Sequence, residues 1–181
     1  MVRKKVIITD SIIQERVKEL GSMISSDFRD REPIVVGILN GAVFFFADLV
    51  RSIDIPVKMD FIRASSYGAE MESSGKVEIT KDVELPIRGR PVILVEDIVD
   101  SGLTLAAVVE YIKGMGAASC SVCALIDKKE RRQCDIQIDY IGFSVEEGFL
   151  VGYGLDYNEN YRHLRDICLL MPADGESEGE N

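Results

Sequence analysis

Glu96, Asp97 and Asp100 fall within one short stretch, and Ser101, Gly102 and Thr104 follow at once. Carboxylates grouped in this way accept hydrogen bonds from vicinal ribose hydroxyls, or hold a hydrated Mg²⁺. The hydroxyls of Ser101 and Thr104, with turn and helix-start N–H groups, suit a phosphate. Gly102 lets the backbone come close to such a group with no side chain in the way. Taken singly, an acid pair is an ordinary solvated loop and a Ser or Thr before a helix an ordinary cap. Grouped at the end of a buried strand, three carboxylates are costly unless something cationic or hydroxylated lies beside them.

The elements around this stretch set its position. Val92 to Val95 reads as a strand buried on both faces, and Leu105 to Met115 as the helix after the turn. Upstream, Val6 to Ile8 reads as a short strand. Ser11 and Gln14 form a capping box, and Ile13, Val17, Leu20, Ile24 and Phe28 recur at helical spacing. Pro33 to Leu39 is a second buried strand, turned by Asn40-Gly41. Ala42 to Ile53 is apolar nearly all round, which predicts a buried helix with Phe44, Phe45 and Phe46 in the core. Val57 to Ala64 is a further strand. Ser65 to Gly75 is small, polar and without period, the pattern of an exposed mobile loop. Val77 to Ile79 returns as a strand, and Leu85 to Arg90 turns the chain. Ser121 to Ile126 is a strand, and Asp139 to Phe143 is the last of the sheet. Phe149 to Tyr161 mixes aromatic and polar residues. Ala173 to Asn181 is an acidic tail expected to be disordered.

Strands that alternate with helices and are apolar on both faces predict an α/β fold with a parallel sheet covered on both sides. Ligands on such sheets bind beyond the carboxyl ends of the strands, where the acids fall. With 181 residues and 46% hydrophobic content, residues 1–172 read as a single domain. The formal net charge of −10 argues against nucleic acid or an anionic membrane as partner. No apolar run is long enough for a membrane span or a signal core, which leads to the expectation of a cytoplasmic protein. Cys120 and Cys123 have zinc-knuckle spacing, but no second ligand pair accompanies them, so they read as structural thiols along with Cys134 and Cys168. His163 is the only histidine, which excludes a Ser-His-Asp triad. There is no P-loop, and Gly114-x-Gly116 lacks the third glycine of a dinucleotide site.

The stretch VILVEDIVDSGLT resembles the 5-phosphoribosyl-1-diphosphate (PRPP) signature of type I phosphoribosyltransferases. GILNGAVFFFADL (Gly37 to Leu49), DFIRASSYG (Asp60 to Gly68), ALIDK (Ala124 to Lys128) and FLVGYGLDYNENYR (Phe149 to Arg162) are similar to the hypoxanthine-guanine members. The likeness runs from about Ile34 to Leu170, in the family's order and spacing.

The resemblance implies a type I phosphoribosyltransferase fold: a mainly parallel sheet with helices on both faces, and a small hood from the N-terminal segment and about residues 145–170. It implies that a 6-oxopurine displaces pyrophosphate from PRPP with Mg²⁺ as cofactor. Glu96 and Asp97 match the acids that hold the ribose hydroxyls, with or without the metal. Asp100 matches the general base at purine N7, and Ser101, Gly102, Leu103 and Thr104 the 5′-phosphate loop. Asn40, Gly41 and Arg162 match the pyrophosphate contacts. Many relatives carry Lys or Arg where this chain has Asn40, so the loop's backbone amides are left to act, through a strained or cis peptide. Lys128 matches the donor to O6 and Phe149 the aromatic that stacks on the base. Leu150 stands where a carbonyl meets the base edge and the family usually has Val. Asp156 matches a Mg²⁺ ligand at the purine end, and Ser66 and Tyr67 the loop that closes over the site. The implied products are IMP or GMP, and the implied assembly is a homodimer or homotetramer. Two other readings compete. A regulator of the same fold that binds nucleic acid should show a basic face and damaged acids; neither is present in the sequence. A phosphoribosyltransferase for xanthine, adenine or a pyrimidine is disfavoured by Lys128 and Phe149, which do not exclude xanthine.

Overall fold

The computed structural model describes residues 3–66 and 77–171. The expected closing-loop residue Tyr67 and the tail from Ala173 lie outside the described residues.

The core is a six-stranded sheet. Its strands are β2 (Ile34–Leu39), β3 (Lys58–Ser66), β4 (Val77–Lys81), β5 (Pro91–Val99), β6 (Ser119–Lys128) and β7 (Tyr140–Val145), in the order β4-β3-β2-β5-β6-β7. All neighbouring pairs are parallel except β3 with the edge strand β4. Helices α1 (Asp10–Asp27) and α2 (Val43–Arg51) cover one face, and α3 (Leu103–Gly114) covers the other. Alternation within one strand shows why both faces must be covered. On β5, Ile93 and Val95 enter the α1/α2 core, while Val92 and Leu94 enter the α3 core. On β2, Gly37 makes room for the Phe46 and Phe61 rings, whose centroids are 4.6 Å apart; a Cβ there would lie 2.8 Å from Phe46.

A second, three-stranded antiparallel sheet forms the hood. It has the order β1-β9-β8, with β1 at Arg3–Ile8, β8 at Phe149–Val151 and β9 at Ile167–Met171.

Several local expectations differ from the structure. Helix α1 is capped at Thr9 with no side-chain cap bond. Ser11 lies inside the helix, and the Gln14 side chain donates instead to Asp48 Oδ2 at 2.8 Å, so no capping box forms. Phe44 is 44% exposed, because α2 buries Phe45, Phe46 and Leu49 and turns Val43 and Phe44 outward. The backbone of Ser65 and Ser66 continues β3 and does not open a loop there. All four cysteines are free thiols, and burial pushes Cys120 up to about 11. No helix of the described residues is long and apolar enough to cross a membrane.

One buried carboxylate fixes the base of the β3–β4 edge. Asp60 Oδ1 accepts the Phe61 N–H at 2.7 Å, Oδ2 accepts those of Glu84 and Leu85 at 2.7 and 2.8 Å, and Lys81 Nζ lies 3.6 Å away. Burial raises the Asp60 pKa, but these N–H bonds and the Lys81 charge outweigh it and hold the carboxyl below its usual range. The stabilisation is complete above the ordinary carboxyl value of about 3.9 and is lost as pH falls through the depressed folded value. Asp60→Ala strands two or more backbone donors and is expected to cost about 3 kcal/mol at neutral pH. Urea unfolding at neutral and acidic pH checks this: the gap to the parent protein narrows in acid. A gap that does not change with pH would remove the ionised carboxylate from the account.

Candidate active site

The carboxyl ends of β5 and β6 lie side by side and carry most of the candidate residues. β5 runs further than its apolar run suggests, so Glu96 and Asp97 are strand residues and Glu96 pairs with Ala124 on β6. Glu96 is buried, and its carboxyl is raised by burial first and then by the neighbouring Asp97 charge. Asp100 follows in the turn. Among the described residues its buried Oδ1 has no hydrogen-bond partner, which is costly unless a ligand atom meets it.

The turn then enters α3 earlier than the sequence pattern indicates. Gly102 is the N-cap, with φ 82°, and Leu103 and Thr104 form the first helical turn. No side chain caps this end, and only a long 3.4 Å contact reaches from the Leu103 N–H to Ser101 Oγ. The first N–H groups of a helix have no intrahelical partner, which suits an anion at this end.

Lys128 ends β6 and is buried, with its Nζ 3.9 Å from Asp100 Oδ2 and 2.9 Å from Glu130 Oε2. Arg132 binds the two strand ends together. Its guanidinium donates to the carbonyls of Val99 (2.9 Å), Asp100 (3.0 Å) and Lys128 (3.2 Å) and pairs with Asp127. The Gln133 N–H continues this seam to the Ser101 carbonyl at 3.0 Å.

The hood closes the far side. An open cleft of about 170 Å³ is lined by Asp97, Asp100, Lys128, Phe149, Leu150 and Asp156, together with Ile98, Arg131, Gly148 and Leu155. Phe149 is 46% exposed and meets Tyr157 at an interplanar angle of 88°, with ring centroids 5.4 Å apart.

The Leu39–Asn40 peptide is cis. Gly41 packs directly on Asp97: a Cβ at residue 41 would overlap Oδ2 and lie 2.6 Å from Cγ. A Cβ on Gly154 would in turn strike the Gly41 carbonyl. Hood, loop and acid strand are thus stacked backbone to side chain. Arg162 braces the hood, with its guanidinium 2.8 Å from Asp156 Oδ1, 3.2 Å from Glu159 Oε1, and donating to the Gly154 carbonyl at 2.8 Å. Its Nε is buried without a hydrogen-bond partner among the described residues. Asn40, Gly41 and Arg162 do not line the cleft itself but border it through Asp97, Gly154 and Asp156. The backbone of Ser66 lies at the end of β3.

Glu130, Arg131, Arg132, Gly148 and Gly154 were not singled out by the sequence. The first three sit in a run of charges that reads as a solvated turn, and the glycines matter only through what lies against them.

Among the described residues no three His, Cys, Asp or Glu side chains come together as a metal cage. Glu96, Asp97 and Asp156 suit the other way of holding Mg²⁺, by one or two carboxylates with substrate oxygens completing the shell. Glu96 is a buried acid whose carboxyl is raised by burial and by the neighbouring Asp97, a cost that a cation or sugar hydroxyls would relieve.

This arrangement of sheet, acids and hood defines a nucleotide-handling transferase of the phosphoribosyl type, and comparison with known proteins agrees. The phosphoribosyl transferase domain model matches residues 7–158. The chain is 46% identical over 174 residues to the hypoxanthine-guanine phosphoribosyltransferase of Bacillus subtilis, covering 96% of this chain and 97% of that one. It is 44% identical over 167 residues to the enzyme of the same name from Aquifex aeolicus, covering 92% and 94%. A crystal structure of a Bacillus anthracis hypoxanthine-guanine phosphoribosyltransferase superposes with a TM-score of 0.89 at 42% identity, covering 94% of this chain and all of that one. The chain belongs to the phosphoribosyltransferase family, among the hypoxanthine-guanine phosphoribosyltransferases, and is therefore an enzyme of the transferase class.

Proposed function

We propose that the protein salvages purines by transferring the 5-phosphoribosyl group of PRPP to N9 of hypoxanthine or guanine, releasing pyrophosphate and forming IMP or GMP. The observation that carries this reading is the facing pair at the strand ends. Asp100, whose buried Oδ1 has no partner among the described residues, and the Lys128 ammonium, 3.9 Å from Asp100 Oδ2, line one cleft beside an exposed Phe149 ring.

In this reading the purine lies on Phe149, with its 6-oxo group toward Lys128 and N7 toward Asp100. The Ser101 to Thr104 turn and the start of α3 hold the 5′-phosphate, and Glu96 and Asp97 accept the ribose hydroxyls. The ribose C1′–oxygen bond breaks, and its electron pair leaves with pyrophosphate. Purine N9 closes on C1′ with its lone pair, and the proton carried on N7 passes to the Asp100 carboxylate. Such general-base help is typically worth about 10²–10⁴-fold. Glu96, Asp97 and Asp156 would hold Mg²⁺, which would supply positive charge to offset that of the departing pyrophosphate. Adenine brings a donor to Lys128 in place of an acceptor, and a buried donor left unpaired costs roughly 1–3 kcal/mol.

The test is a spectrophotometric assay with PRPP, Mg²⁺ and hypoxanthine, guanine, xanthine, adenine or uracil. Turnover confined to the 6-oxopurines is expected, and turnover of adenine or uracil alone would end the reading. Lys128→Ala is expected to raise KM for hypoxanthine and guanine far more than for PRPP. Equal losses for both would make Lys128 a structural residue.

A further inference from the structure

Lys128 is held by a residue that the proposed chemistry does not use. Glu130 Oε2 lies 2.9 Å from the ammonium and also accepts the Gly148 N–H at 3.3 Å. That one oxygen therefore joins the end of β6 to the residue before Phe149, across the mouth of the cleft. The Glu130 carboxyl is held below its usual range by its hydrogen bond from Lys128.

The geometry on the other side of Lys128 gives this contact its meaning. An ammonium has three donors, and Asp100 Oδ2, at 3.9 Å, is beyond hydrogen-bond length. The Lys128 side chain is 6% exposed, so little water reaches it. Without Glu130, Asp100 is the nearest acidic partner left to this buried cation. Closing that gap would engage the carboxylate that should receive the purine proton, and would draw the ammonium away from the 6-oxo group.

We propose that Glu130 is a positioning residue for base recognition: it anchors Lys128 against Gly148 and keeps the ammonium off Asp100. This rests on the reading above, in which Lys128 meets the 6-oxo group and Asp100 takes the proton. Glu130 itself touches neither substrate.

The experiment is a double-mutant cycle on the full protein with E130Q, K128Q and the double variant, with E130D as the conservative control. KM for hypoxanthine, guanine and PRPP, and calorimetric binding of IMP, are the readouts. E130Q is expected to raise KM for both bases about tenfold, the effect of losing one charge-assisted hydrogen bond, and to weaken IMP similarly. PRPP KM and thermal stability stay unchanged, since Glu130 is 40% exposed and its removal opens no core. E130D recovers part of the loss. In the K128Q background the E130Q change has no further effect on IMP binding. The proposal is overturned if E130Q leaves base KM and IMP affinity unchanged, raises PRPP KM equally, or costs as much without Lys128 as with it. If K128Q and D100N both keep normal purine use, it is the underlying reading that fails. If those two are impaired and E130Q behaves as the parent protein, only the role of Glu130 fails.

Discussion

Asp100→Asn is expected to retain PRPP binding while losing about 10²-fold or more in turnover. The substitution keeps the size and planarity of the side chain but removes its negative charge and its ability to accept a proton. The turn should survive it, because the Asp100 main chain is held independently: Arg132 Nε donates to its carbonyl at 3.0 Å. The end proposed for the 5′-phosphate is also untouched, since Ser101 to Thr104 follow in the turn and the first helical turn of α3. What changes is the carboxyl group of a cleft-lining residue, whose buried Oδ1 has no hydrogen-bond partner among the described residues. Single-turnover rates from base absorbance, beside PRPP affinity from calorimetry, separate the two effects. A variant with normal turnover would remove Asp100 from the chemistry, and one that lost PRPP as well would show it to be a scaffold of the turn.

Gly41→Ala is expected to be nearly as damaging, for a steric reason. The added methyl group would overlap the Asp97 carboxylate and lie 2.6 Å from its Cγ. Asp97 can swing aside, because its side chain is only partly buried, so the fold should hold with little change in melting temperature. The ribose contact would not hold. Displacing a positioning group by about 1 Å can cost 10²-fold, and a loss of that order in kcat/KM for PRPP is expected. Pyrophosphorolysis of IMP should fall in parallel, because the same loop borders the end proposed for pyrophosphate. Steady-state kinetics in both directions, with circular dichroism as a control, check this. Full PRPP efficiency in the variant would mean that Asp97 does not hold the sugar.

Much of the fold is legible in the sequence because β2, β5 and β6 are buried on both faces and therefore read as unbroken apolar runs. Polar strand ends are less legible. Glu96 and Asp97 read as a loop after β5 because carboxylates there break the apolar pattern, yet pairing with β6 continues through them. Helix α2 shows a different limit. A segment apolar nearly all round carries no phase, so nothing local says that Phe45 faces the sheet and Phe44 faces away. Ser11 and Gln14 have the right spacing for a cap, but Asp48, far along the chain, takes the Gln14 amide. At the site, the acids and Lys128 stand out by type and spacing. The close approaches of Gly154 to Gly41, of Gly41 to Asp97 and of Glu130 to Gly148 join segments distant in sequence, and only the folded chain brings them together.

The pairing of β1 with β9 bears on how the chain is made. Ile8 finds its partner at Ile167, about 160 residues later, a span that takes a ribosome roughly ten to thirty seconds to add. For that interval the first strand has nothing to zip onto and is an open template for other chains. Arg3, Lys4 and Lys5 stand along it, and a run of positive charge is a known deterrent to strand-to-strand sticking. The hood, and with it the half of the cleft that carries Phe149, is therefore finished last, after translation has passed residue 171.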